Sequence, residues 1–72
     1  MTPDFYHISH TLKAGAPSED IWMDAQLYGC WISFNHFGDL SVGMDSRWPY
    51  ALIFAIRYSE WIDSTRMEAY FA

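Results

Sequence analysis

Four tryptophans, five tyrosines and five phenylalanines stand in a chain of 72 residues that carries a single cysteine. That pairing limits what the chain can fold into more than any other feature. A domain of this length buries only about 60% of the surface its unfolded chain exposes, and its core rarely supplies more than about 3–5 kcal/mol net. Small domains compensate with disulfides, a structural metal, heavy core side chains or a partner subunit. Cys30 alone closes no internal disulfide and cannot furnish the several thiolates of a structural zinc site. Large rings and partners are what is left. Each ring buries on the order of 150–250 Å², so this many exceed what a small sheet and one or two helices can hide, and some stay at the surface.

Size also fixes the organisation. Residues 1–72 read as one small globular domain, too short for a separate cofactor domain, a doubly wound nucleotide fold or a barrel enzyme. Met1–Phe5 lacks the cationic lead and apolar run of a secretory signal. The longest apolar run, Tyr50 to Ile56, is seven residues, against the ~20 that cross a bilayer. With an unpaired thiol, these features predict a cytoplasmic protein, in the host cytoplasm if it is virus-encoded.

The net charge of −5 is unevenly placed. Asp4, Glu19, Asp20, Asp24, Asp39 and Asp45 face only Lys13 up to residue 45, whereas Arg47, Arg57 and Arg66 balance Glu60, Asp63 and Glu68 beyond it. No basic patch exists for phosphate backbones or anionic lipid, which argues against direct nucleic-acid or membrane partners. An acidic surface keeps an apolar little protein dissolved, and it also speeds docking on a basic protein.

The chain reads as α+β. Phe5 to Leu12 has strand chemistry, with Tyr6, Ile8, His10 and Leu12 on one face and Phe5, His7, Ser9 and Thr11 on the other. Residues 18–28 divide almost evenly between a short helix, capped by Ser18 and ended by Gly29, and a strand alternating Ile21, Met23, Ala25 and Leu27; the boundary signals favour helix. Alternation through residues 30–35 and 40–44, around the turn chemistry of Asn35 to Asp39, predicts a β-hairpin within 30–45. Pro49 opens a helix in which Leu52, Ala55, Ile56, Ser59 and Ile62 recur at helical spacing. Arg57 with Glu60, and Asp63 with Arg66, are spaced as neighbours on a solvated helix face. Thr65 to Glu68 has the form of a capping box, predicting further helix at the carboxyl end. The expected architecture is a small antiparallel sheet of about three strands under a C-terminal helix.

No motif names a reaction. His7 and His10 point to opposite faces of a strand, so shared metal ligation with His36 or Asp39 has no support in the spacing. Cys30, His36 and Asp39 have the residue types of a nucleophile, a base and an orienting acid. An extended strand separates the first two by on the order of 20 Å, too far to pass a proton. Catalytic residues, metal and cofactor are therefore all expected to be none, and the chain is not expected to be an enzyme.

The rings are the distinctive feature. Trp31, Trp48 and Trp61 suit a core too small for lighter side chains. Exposed rings beside carboxylates suit a protein-binding surface, where aromatic anchors supply energy and charge selects the partner. The candidate partner-binding residues are Glu19, Asp20, Trp22, Asp24, Phe37 and Asp39. The expected function is a small acidic binding module that docks on a basic surface of a larger protein or complex. One form is an inhibitor that occupies a basic nucleic-acid groove, the part played by virus-encoded anti-defence proteins. Two alternatives stand beside it: a homo-oligomer that buries the surplus rings between subunits, and a small metal-dependent or acid–base enzyme using His7, His10, His36 and acidic residues.

Overall fold

Strand β1 (Phe5–Leu12) occupies the middle of the sheet and organises the rest. In the computed structural model, which describes residues 2–71, it is followed by α1 (Ser18–Tyr28), β2 (Trp31–Phe34), β3 (Leu40–Asp45), α2 (Pro49–Arg57), a single 3-10 turn (Ser59–Trp61) and β4 (Ile62–Tyr70). The strands pair antiparallel in the order β2-β3-β1-β4. This β-α-β-β-α-β order with interleaved halves is the split β-α-β, or ferredoxin-like, connectivity.

Period two along β1 decides which side the helices cover. Ile8, His10 and Leu12 face them, and across the ladders Met44 lies opposite Ile8 while Val42 lies opposite His10. Ile21 of α1 and Tyr50, Phe54 and Tyr58 of the α2 segment close over these residues, forming a core in which Phe54, Leu12, Ile21, Met44 and Val42 have almost no exposed surface. His10 is buried in this layer, its ring stacked 5.3 Å from that of Phe54 and its Nδ1 sharing a 2.9 Å hydrogen bond with Thr65 Oγ1. Burial lowers its pKa.

Local signals account for most boundaries. Gly29 ends α1 in the left-handed conformation, φ 75°, with its N–H on the Ala25 carbonyl. Pro49 starts α2 where its missing N–H costs nothing. Pro17, rather than Ser18, holds the cap position of α1; its carbonyl accepts the Ile21 N–H at 3.1 Å, while Glu19 and Asp20 suit the positive end of the helix dipole.

The architecture is α+β with a four-stranded sheet, one strand more than the sequence suggests. The extra strand is β4, where a capping box had predicted helix. Tyr70 through Ser64 pair in unbroken register with Phe5 through Thr11, and that long-range ladder outweighs the local cue. In a strand Asp63 and Arg66 are no longer neighbours. Arg57 likewise turns away from Glu60 to the α1 residue Asp24. The buried side of α2 carries Tyr50, Ala51 and Phe54, leaving Leu52 and Ile56, members of the predicted stripe, exposed. Nor do the tryptophans form the core: Trp48 and Trp61 pack at its margin, and Trp31 is 56% exposed.

Candidate functional site

Asp24 holds the two helices together. Its Oδ2 accepts hydrogen bonds from Tyr50 Oη, Tyr58 Oη and Arg57 Nη1, each at 2.8 Å. Partial burial pushes its carboxyl up, but the bonds from Tyr58, Tyr50 and Arg57 outweigh this and hold it below its ordinary value. In return, burial and the bond to Asp24 push the Tyr58 phenol up to about 12 and that of Tyr50 higher still. Of the six predicted partner-binding residues, Asp24 is the one committed to the interior of its own fold.

Glu19, Asp20 and Trp22 project from the first half of α1, and Trp22 is 52% exposed. Ser18, Glu19 and Trp22 line one side of an open groove of about 550 Å³, faced by Ile32 and Phe34 of β2 and Leu40 of β3; Asp20, about half a turn round the helix from Trp22, is not part of it. Phe34, 69% exposed, also borders a second hollow of about 340 Å³ reaching Lys13 and Asp39. The hairpin tip has a fixed shape: Asn35 Oδ1 accepts the N–H groups of Phe37 (2.9 Å) and Asp39 (3.0 Å), and Gly38 takes φ 85°. Phe37 stands outward on that tip, 79% exposed, and does not line the groove. Phe34 and Ile32 are the groove residues that sequence reasoning missed. Alternation in β2 had already placed them together on one face, and only the packing of α1 alongside that face was absent from the pattern.

A second aromatic group lies on the sheet face away from the helices. Phe5 and Tyr70 stack at 5.0 Å with planes 4° apart, the Arg47 guanidinium lies 4.1 Å from the Phe5 centroid, and Trp31 packs on His7 (5.1 Å) and Trp48 (5.6 Å). Gly43 makes this possible. A Cβ there would stand 2.9 Å from His7 Nε2 and 3.6 Å from Trp31 Cε3, so the two rings lie where a side chain would be. Asp45 anchors the group by accepting hydrogen bonds from Arg47, Nη2 to Oδ2 at 2.6 Å, and those bonds hold its carboxyl below its ordinary value. These rings are largely occupied with each other.

His7 and His10 point to opposite sheet faces as expected, and no three His, Cys, Asp or Glu side chains converge to hold a metal among the described residues. Cys30 precedes β2 and His36 follows it. Burial, then the charge of Asp24, raise the Cys30 thiol, which disfavours the nucleophilic thiolate. No helix among the described residues is long and apolar enough to cross a membrane. No family model matches the chain, and neither a curated protein nor a solved structure matches it.

Proposed function

We propose that this chain is a protein-binding module whose docking surface is the groove between α1 and the β2–β3 hairpin, and that its partner presents a basic surface. The observation that carries the reading is the pairing of two large exposed rings, Trp22 and Phe34, across a groove with Glu19 on its wall. Buried between partners, such rings act as anchors, while carboxylates at the rim steer a cationic surface into place. Asp20, two residues before Trp22, points from the other side of α1 and adds only to the general negative potential, while Asp39 borders the adjoining hollow, which Lys13 also lines. A groove that grips nucleic acid through phosphate contacts carries the complementary sign. Inhibition by occupying such a groove is the specific form this function takes.

The test is capture by the immobilised chain from a lysate of the cells it comes from, with bound proteins identified by mass spectrometry at low and high salt. The expected result is a basic protein retained at low salt, released as ions screen the contact, displaced by added nucleic acid, and lost with Trp22→Ala or Phe34→Ala. Capture that ignores both salt and these two substitutions would refute the groove as the docking surface.

A further inference from the structure

The margin of the sheet opposite the groove is β4, and eight of its nine residues are exposed. A long open edge is a template for another strand, and proteins usually blunt one with proline, charged side chains, lysine above all, or a covering element. Residues 62–70 contain neither proline nor lysine, and the charges they do carry, Asp63, Arg66 and Glu68, are of both signs, so they oppose an arbitrary strand but can be matched by a complementary one. The other margin, β2, is only four residues long.

Backbone geometry shows which groups are free. Ser46 N–H donates to the Tyr6 carbonyl at 2.8 Å, so even-numbered residues of β1 direct their polar groups at β3 and odd-numbered ones at β4. The β4 partners of those odd-numbered residues are Ser64, Arg66, Glu68 and Tyr70, whose N–H and C=O face β1. The N–H and C=O of Thr65, Met67 and Ala69 therefore point outward. Arg66 and Glu68 sit on the sheet face away from the helices, opposite Ser9 and His7 of β1, and neither belongs to an ion pair among the described residues.

We infer that β4 is the interface of a symmetric dimer, in which the free edges of two copies pair antiparallel about Met67 and join two four-stranded sheets into one of eight strands. Charge favours a second copy as the occupant, and it favours the register that sets Arg66 and Glu68 against each other. A two-fold axis through antiparallel edges sets residues of the same face opposite one another. Centred on Arg66, each guanidinium would meet its own copy; centred on Glu68, each carboxylate would do so. Centred on Met67, each Arg66 stands opposite the Glu68 of the second copy, and the symmetry makes this pair twice. Because the two Met67 residues exchange the outward backbone bonds, the Arg66–Glu68 positions form non-hydrogen-bonded pairs, the closer kind, with Cα atoms about 4.5 Å apart. Thr65 then meets Ala69, and Ser64 meets Tyr70. A second copy of this chain thus matches the edge in hydrogen bonding and in charge.

Sedimentation equilibrium at low salt tests this on the intact chain, with far-UV circular dichroism as the check on folding. The wild type is expected to be a dimer. Arg66→Glu and Glu68→Arg each place two like-charged pairs at the axis and raise the dissociation constant by about tenfold or more, and the double exchange R66E/E68R returns it close to the wild-type value. Met67→Pro removes an N–H that the β1–β4 ladder does not use, so it abolishes the dimer and leaves the monomer fold. A wild type that is monomeric at every concentration reached overturns the proposal. So do single reversals without effect, or a double exchange that fails to restore pairing. Trp22→Ala lies at the far margin and leaves the mass unchanged, which separates this result from the fate of the groove.

Discussion

A carboxylate oxygen that accepts three hydrogen bonds, as Asp24 Oδ2 does, must stay ionised for the two helices to remain joined. Asp24→Ala leaves two largely buried tyrosine hydroxyls without their acceptor, and the expected cost is about 2–4 kcal/mol. That is most of what a domain this small holds in reserve, so urea titration should find the variant with only about 1 kcal/mol left, its midpoint moved to much lower urea and an unfolded fraction already present without denaturant. The pH profile follows from the directions of the shifts. His10 and Asp24 have lowered pKa values in the folded chain; their contributions are full above the unfolded values, about 6.5 and 3.9, and fade as pH falls through the folded ones. Tyr58 has a raised value, about 12; its contribution is full below about pH 10 and is lost as pH rises toward the folded value. Denaturation midpoints should therefore decline below about pH 6.5, fall more steeply below about 4, and decline again above about 10, with Tyr58→Phe flattening the alkaline limb. In the sequence Asp24 is indistinguishable from Asp20, a solvated acid on a short helix. Its partners lie 26, 33 and 34 residues away, beyond the reach of any local pattern.

At the scale of the element, what the sequence discloses depends on where the deciding contact lies. β1 and the hairpin rest on alternation and turn residues, both local, and were legible; α1 was half so, because boundary signals such as Gly29 competed with the strand-like alternation of Ile21, Met23, Ala25 and Leu27. α2 was legible as a helix but not in its orientation, because Leu52 and Ile56 make as apolar a stripe as Tyr50 and Phe54; long-range contacts, the Asp24 bonds to Tyr50 and Tyr58 and the stack of Phe54 on His10, favour the latter. β4 was misread because its one strong local signal, Thr65 to Glu68, mimics a helix start while its ladder to β1 is long-range. Gly43 in β3 offers a direct test of the cross-strand arrangement. An alanine there gains backbone entropy worth up to about 1 kcal/mol in the unfolded state, but its methyl overlaps the His7 ring, and overpacking of this kind costs about 1–3 kcal/mol. The expected result for Gly43→Ala is a thermal midpoint lowered by several degrees, with an altered near-UV spectrum as Trp31 loses its seat against His7.

At the scale of the whole molecule, the sequence foretold a surplus of rings and the surface bears it out, with Trp22, Trp31, Phe34, Phe37 and Tyr70 all exposed. What it could not supply was grouping. The net charge of −5 arises from residues before Arg47, yet folding withdraws Asp24 and Asp45 into pairs with Arg57 and Arg47 and leaves Glu19 on the groove wall with Asp20 on the other side of the same helix. Lysine at both Glu19 and Asp20 should therefore weaken partner capture at low salt while leaving the thermal midpoint nearly unchanged, since surface substitutions of this sort shift stability by about 0.5 kcal/mol or less. The groove and the long free strand occupy opposite margins of the sheet. Paired through β4, two copies carry their grooves outward to the ends of an eight-stranded span, seven strand spacings or roughly 34 Å apart. Such an assembly would act as a ruler: a target displaying two cationic sites at that interval would be gripped twice, its second grip strengthened by tethering alone, while a target with one such site would gain nothing from the doubling.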